Sequence, residues 1–155
     1  MERKRFLVSG EPRDSSYREL LEGSCGPCAY ALLVVRDSAA DRAALAPATE
    51  ALSEWLVSRE LRSQWPGTIL YEDEAAIYRY RLDSGLVSRL LRLTRGLYDW
   101  MHPNLPEDLC LLRQDLEPWL VSISHEREAF MVLSEDERTD ISRFAPLLAP
   151  LLRYP

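Results

Sequence analysis

Two cysteines separated by two residues form the most reactive pair of side chains in the sequence. Cys25 and Cys28 enclose a Gly-Pro dipeptide in the segment CGPC. Two thiols at this spacing can exchange with a disulfide if a helix N-terminus or a nearby cation stabilises one of them as the thiolate. They can also supply half of a tetrahedral zinc site, but no second Cys or His pair stands at a suitable spacing. We therefore expect no metal site.

The two histidines and their acidic neighbours form a second group of titratable side chains. His102 precedes Glu107 and Asp108 by a few residues, and His125 is followed directly by Glu126. Imidazole titrates near neutral pH and carboxylates orient it, so convergence of these residues would permit acid–base chemistry or metal binding. No HExxH motif or histidine pair at helical spacing is present. The sequence leaves convergence open, and we assign no catalytic residue among them.

Arginines are concentrated in one stretch of the chain. Between residues 77 and 95, five arginines stand against Asp83 alone, although the whole chain carries a net charge of -6. The five are Arg79, Arg81, Arg89, Arg92 and Arg95. The last three recur every third residue and would form one stripe on a helix, whereas the first two share a strand face. This stretch is either a solvated face paired with the acidic residues 134–140 or a docking patch for an acidic partner.

Two aromatic residues follow the arginines directly. Tyr98 and Trp100 flank Asp99 in an irregular, proline-rich segment. An exposed aromatic pair is a typical anchor in protein interfaces, because it buries a large area and also carries a hydrogen-bond donor. Trp65, Tyr98, Trp100 and Trp119 are expected to lie mostly in the core. If Tyr98 and Trp100 are instead exposed, they join the five arginines in a binding surface for another protein.

The CGPC segment resembles the active site of the thioredoxin family, and residues 66–68 (PGT) resemble the proline-threonine turn that faces it there. This resemblance implies a thiol–disulfide oxidoreductase in which Cys25 attacks as a thiolate. In that family a strand leads into the motif and a helix begins within it. Here a helical pattern precedes the motif, the strand-like residues 29–35 follow it, and Ser24 stands where the family usually has Trp. Redox chemistry is therefore the alternative function.

Apolar periodicity predicts the strands that must position these groups. Residues 28–35 form a continuous apolar run, which is typical of a buried strand. Residues 75–82 and 119–124 alternate in polarity, as half-buried strands do. Short polar connections join residues 109–113, 119–124 and 129–133, so we expect these three strands to form an antiparallel meander. Residues 68–71 would pair with 75–82 as a hairpin.

Capping patterns predict helices near residues 39–59, 84–95 and 135–145. Asp83 can cap the second of these, and Ser134 with Glu137 forms a capping box for the third.

A shorter helix is expected before the cysteines. Ser16 and Glu19 would form its capping box, and Gly23 would end it in the left-handed conformation. Among the core positions we expect burial of Val34, Leu90, Val121 and Phe144.

Composition excludes several classes of protein. A chain of 155 residues with 46% hydrophobic and 28% charged residues suits a single domain with its own core. No apolar run approaches the roughly 20 residues that cross a membrane, and an acidic chain repels nucleic acid. Only Phe6, Leu7 and Val8 follow the basic N-terminus before polar residues resume, which is too short for a secretory signal. Cytoplasmic location is therefore expected.

Residues 1–155 are thus predicted to form a single α+β domain with three to four helices on a mainly antiparallel sheet. One lysine against many arginines, with abundant Leu and Ala, indicates a GC-rich and bacterial genome. The expected function is that of a bacterial accessory protein, such as an inhibitor, an immunity-like protein or a regulatory adaptor. It would act by binding another protein rather than by catalysis, with no cofactor, nucleic acid or membrane involved.

Overall fold

Ten strands and four helices follow one another along the chain in the computed structural model, which describes residues 1–155. The strands are β1 Arg3–Val8, β2 Tyr30–Val35, β3 Leu56–Arg62, β4 Gln64–Trp65, β5 Thr68–Ile69, β6 Ala75–Arg81, β7 Glu107–Leu112, β8 Pro118–Ile123, β9 Glu128–Ser134 and β10 Leu152–Arg153. The helices are α1 Ser15–Gly23, α2 Arg42–Ala51, α3 Ser84–Leu93 and α4 Glu135–Phe144. Eight strands form one sheet in the order β10-β1-β9-β8-β7-β2-β6-β3, and all their pairings are antiparallel. The predicted single α+β domain is confirmed.

One face of this sheet is covered by helices. Tyr17 of α1, Leu90 of α3 and Ile141 of α4 pack against Leu33 and Tyr80 of the sheet in a core of 30 buried residues. Because side chains alternate along a strand, the same strands send their intervening residues to the opposite face.

Residues 63–74, which we call the arm, fold across that opposite face. The arm contains the β4–β5 hairpin, and Trp65 packs in a smaller core of eight buried residues that includes Leu32 and Val34. Gly67 adopts φ +90°, and a Cβ atom there would lie 2.8 Å from Cγ1 of Val121. Only glycine suits this position, because it permits both the left-handed backbone and the close approach of the arm to β8.

The edge of the sheet beside the arm differs from the sequence prediction. The helix expected over residues 39–59 ends at Ala51, and Leu56–Arg62 forms the edge strand β3, paired with β6. Every residue of β3 is at least partly exposed, so this segment shows no apolar alternation. The expected hairpin of residues 68–71 with 75–82 is also wrong, because Thr68–Ile69 pairs with Gln64–Trp65.

The predicted capping box of α1 is wrong as well. The helix begins at Ser15, and no side chain caps its first turn. Glu19 instead accepts hydrogen bonds from the backbone amides of Leu147 and Leu148, at 2.9 and 3.0 Å. The carboxylate of Glu19, which the local pattern assigns to the cap of α1, therefore binds the C-terminal segment instead.

Gly23 ends α1 for a different reason from the predicted one. It does not adopt a left-handed conformation, but a Cβ atom there would lie 2.7 Å from the ring of Phe144. Phe144 covers this glycine from outside and remains 52% exposed, so its predicted burial is wrong. Burial of Val34, Leu90 and Val121 is confirmed.

The other helix caps and the meander are confirmed. At the start of α3, the carboxylate of Asp83 accepts a hydrogen bond from the Leu86 amide. At the start of α4, the Ser134 hydroxyl accepts a hydrogen bond from the Glu137 amide, and the Glu137 carboxylate accepts one from the Ser134 amide. Strands β7, β8 and β9 pair in sequence. None of the four helices has the length and the apolar character needed to cross a membrane.

Candidate functional site

The CGPC segment lies between a helix and a strand, in the order that the sequence predicts. It follows α1 and precedes β2, and its thiols are free. The C-terminal end of a helix carries partial negative charge, which disfavours a thiolate. Burial, with the charges of Asp83 and Glu22, raises the pKa of Cys25, and burial also raises the pKa of Cys28. This context is the reverse of the one that activates a thioredoxin-type cysteine.

The arginines of residues 77–95 do not form one surface. Arg89 and Arg92 are exposed on α3, on the helix-covered side of the sheet, and Arg95 is exposed in the segment that follows. The expected helical stripe of three arginines is therefore wrong, because α3 ends at Leu93. Arg95 pairs with Asp14 at 3.0 Å, and Arg92 lines a groove of about 550 Å³ between α1 and α3 that Cys25 also borders.

The acidic residues 134–140 are not the partners of these arginines. Glu135 contacts Lys4 at 3.2 Å, and Glu137 contacts Arg113 at 2.9 Å. The arginines on α3 are therefore solvated or paired elsewhere.

The predicted aromatic anchors lie in the core. Tyr98 is 3% exposed and Trp100 is fully buried. Trp100 donates its indole hydrogen to the hydroxyl of Tyr17 at 2.8 Å, and the guanidinium of Arg127 covers the ring of Tyr98. The expectation that these aromatic residues lie in the core is confirmed, and the alternative of an exposed pair is wrong, because the segment turns inward onto the helix-side core.

Arg79 and Arg81 point away from the helices. Arg81 is exposed and lies 3.6 Å from Asp83. Arg79 is half-buried on the arm-covered face, where its guanidinium carbon stacks 4.9 Å above the ring centroid of Tyr30. No carboxylate lies within 4.0 Å of Arg79, and its buried Nε has no hydrogen-bond partner.

Arg79 belongs to a wide groove, which we call the arm groove. This groove has a volume of about 700 Å³ and lies between the arm and the sheet strands beside it. Leu32, Ile77 and Arg79 lie on its sheet side, and Trp65 and Ile69 line its arm side. Sequence reasoning selected Arg79 but missed the groove, because both β3 and the fold of the arm were misassigned.

The rim of the arm groove is apolar and exposed. Ile69 is 57% exposed, Tyr71 84% and Leu116 47%. Together with the polar side chains of β3, these residues surround the enclosed arginine. A surface of this kind combines an apolar contact area with one unsatisfied hydrogen-bond donor, as ligand and partner sites typically do.

A second candidate site lies where β7 begins and β8 ends. Glu107, Asp108 and His125 converge there, with one ligand atom of each within 4.8 Å of the others. Glu107 and Asp108 are buried, and His125 is half-exposed. Burial raises the pKa of Asp108, although the amide of Ser124 opposes this shift. The sequence leaves this convergence open because it depends on the register of β7 against β8.

The other two candidates from the sequence do not join this cluster fully. Glu126 contacts only His125, at 3.9 Å, from an exposed position. Nε2 of His102 accepts a hydrogen bond from the Arg36 amide. The ring hydrogen is therefore on Nδ1, which donates a hydrogen bond to the Leu105 carbonyl. Burial lowers the pKa of His102, which supports the interpretation that this histidine organises its own loop.

Comparisons with models of protein families, with curated proteins and with solved structures find no match for this chain. Its function has to be argued from its own geometry. The arm groove and the Glu107–Asp108–His125 cluster are two places where polar groups meet in an arrangement that the fold itself does not require.

Proposed function

We propose that this chain is an accessory protein of the bacterial cytoplasm that acts by binding another protein through the arm groove. The observation that carries the proposal is Arg79, whose enclosed Nε faces no partner within the chain. A buried donor without an acceptor is costly, and an acceptor supplied by a partner removes that cost. An inhibitor, an immunity-like protein or a regulatory adaptor would each use such a surface.

The partner group that suits Arg79 is a carboxylate. A guanidinium binds a carboxylate through two parallel hydrogen bonds, and it is more weakly hydrated than an ammonium group. The guanidinium carbon of Arg79 already lies 4.9 Å from the ring centroid of Tyr30, and this cation–π contact reduces the conformational entropy that the side chain loses on binding. The exposed rim residues Ile69 and Tyr71 would supply apolar contact around this pair.

The edge strand β3 indicates the shape of the partner segment. Ser58, Glu60 and Arg62 of β3 line the arm groove, and the outer edge of β3 pairs with no other strand. An exposed edge strand can accept an extended segment of another chain by backbone hydrogen bonds, while alternate side chains enter a neighbouring pocket. The proposed ligand is therefore an extended, acidic segment of another protein.

Affinity capture from the native host, followed by calorimetry with the recovered protein, tests this proposal. Arg79→Gln should weaken binding at least about tenfold, which corresponds to roughly 1.4 kcal/mol. Normal binding by this variant would exclude the arm groove as the docking site.

The matched control is Arg89→Gln together with Arg92→Gln on α3. These arginines are exposed on the helix-covered side, so their loss should leave binding within about twofold. The two surfaces also differ in salt dependence: contacts at exposed arginines are screened, whereas a half-buried pair is screened much less. Binding that falls steeply with salt and is lost in the α3 variant would place the partner on the helices.

The alternative of thiol–disulfide exchange has no comparable support. Cys25 follows the C-terminal end of α1, and no cation pairs with its sulfur. Burial raises the pKa of both thiols of the CGPC segment, which lowers the thiolate fraction that attack on a disulfide requires.

A further inference from the structure

Two consecutive carboxylates are buried at the start of β7. Glu107 is 1% exposed and Asp108 is fully buried. Consecutive strand residues normally point to opposite faces, but the pairing of β2 with β7 is irregular at this point and Asp108 adopts φ 58°. This bulge turns both side chains inward at the same end of the sheet, which is an expensive arrangement for two charged groups.

The two carboxylates differ in how their charge is compensated. Glu107 forms two hydrogen bonds with the guanidinium of Arg36, which neutralises it. Asp108 has no arginine or lysine within 4.0 Å. It accepts one hydrogen bond from the Ser124 amide at 2.9 Å and a long one from the Trp65 indole at 3.4 Å. No arginine or lysine therefore compensates a charge on Asp108, and the basic side chain that lies beside it is the imidazole of His125.

The ligand atoms at this site lie close enough for a bound ion to draw them together. The ligand atoms of Glu107, Asp108 and His125 lie within 4.8 Å of one another. Donor atoms that share a tetrahedral Zn²⁺ ion at about 2.0–2.2 Å lie roughly 3.3–3.6 Å apart, so these side chains would have to approach one another by about an ångström to seat one. His125 is half-exposed and can move by a side-chain rotation, and it leaves a path for the ion from solvent.

A separate observation at the same place is the hydroxyl of Ser124. Ser124 is fully buried, its Oγ has no hydrogen-bond partner, and its own amide donates to Asp108. Nearly all buried hydroxyls in proteins have a partner, and the Ser124 hydroxyl is free to hydrogen-bond to a group bound at this end of the strands. A water molecule carried by a metal ion would supply that partner.

We infer that Glu107, Asp108 and His125 bind a divalent transition-metal ion, with Zn²⁺ as the best-suited probe. Two carboxylates and one imidazole form a mixed oxygen and nitrogen donor set, which favours first-row transition metals over Mg²⁺ and Ca²⁺. The three protein ligands leave at least one position for water. The ion would neutralise Asp108 and would tie β7, the β8–β9 turn and, through the Trp65 indole, the arm together.

Calorimetric titration of the chelator-treated protein with Zn²⁺ tests this inference. We expect one ion per chain, and Co²⁺ should bind at the same site and develop visible absorption bands of an oxygen- and nitrogen-ligated ion. His125→Gln removes an exposed ligand without disturbing the core, and it should weaken Zn²⁺ binding at least about a hundredfold. Mg²⁺ at the same concentration should give no heat of binding.

Two control variants separate this site from other ligands in the chain. Glu126→Gln removes the carboxylate next to His125, and Cys25→Ser removes the exposed thiol; both should keep the wild-type dissociation constant. Failure of Zn²⁺ to bind the wild type below about 100 µM would overturn the inference, as would equal binding by His125→Gln.

Discussion

The two faces of the sheet are built from the same strands but are covered in different ways. Leu33 of β2 points into the helix-side core of 30 buried residues, whereas its neighbour Leu32 points into the core of eight residues beneath the arm. Three helices, α1, α3 and α4, cover the helix face. The arm face is covered by the β4–β5 hairpin, whose Trp65 packs against the sheet. Stability is concentrated on the first face, and the second leaves a groove of about 700 Å³ with an unsatisfied arginine.

The largest expected effect comes from this adjacent pair of leucines. Leu33→Ala should lower the free energy of unfolding by about 3–5 kcal/mol, because it leaves a cavity that the packed helices cannot fill. Leu32→Ala should cost at least about 1 kcal/mol less, because the lost volume merges with the open arm groove. Urea unfolding measures both changes, and equal costs would mean that the two faces are equally well packed.

The next effect tests how the arm is attached. Gly67→Ala should cost about 1–3 kcal/mol, because alanine is strained at φ +90° and its Cβ would meet Val121. Gly26→Ala is the matched control: no atom lies within 4 Å of its Cβ position, and we expect a change within about 0.5 kcal/mol. Hydrogen exchange should locate the loss in the arm, and a loss spread over the helices would contradict the division into two faces.

A smaller effect is expected at the first turn of α4. Ser134→Ala should cost about 0.5–2 kcal/mol in urea unfolding, because the Glu137 amide loses the acceptor that it has at 3.2 Å. A change near zero would show that α4 does not depend on its capping box.

The same capping box should make stability depend on pH. Burial alone would raise the pKa of Glu137, but hydrogen bonds from Arg113 and Ser134 outweigh burial and lower it. The stability that Glu137 contributes is therefore complete above its unfolded pKa of about 4.3 and is lost as the pH falls through the lower folded value. Glu137→Gln should show a shallower loss of unfolding free energy below about pH 4.5. Identical pH profiles would rule out this linkage.

No redox effect is expected at Cys25 and Cys28. The protein should not catalyse disulfide reduction, and alkylation of Cys25 should show an inflection above the ordinary thiol pKa, because burial and nearby acidic charge raise it. Robust turnover that disappears in Cys25→Ser would restore the oxidoreductase hypothesis.

The parts of the fold that follow from local pattern could be predicted from the sequence. The buried run of β2 and the alternation of β6 and β8 have strong apolar periods, and the caps at Asp83 and Ser134 depend only on neighbouring residues. Strand β3 could not be predicted, because an exposed edge strand with mixed charges has no apolar period. Its misassignment concealed the arm groove.

The candidate sites were harder to predict for a related reason. The sequence predicts Arg79 only as one of five arginines in a charged stretch, because its environment depends on how the arm crosses the sheet. The irregular, proline-rich segment around Tyr98 and Trp100 leaves both the core and the surface open, and packing places both side chains in the core. The convergence of Asp108 with His125 requires a strand register and a bulge that no local pattern encodes.

The most direct test of the central claim is to find which face a bound partner protects. Hydrogen–deuterium exchange of the chain, alone and with the protein recovered by affinity capture, compares β3 and the arm with α1 and α3. We predict slower exchange in Leu56–Arg62 and in residues 63–74, with α1 and α3 unchanged, because the partner segment adds to β3 and fills the arm groove. Protection confined to α1 and α3 would contradict the assignment of binding to the arm-covered face.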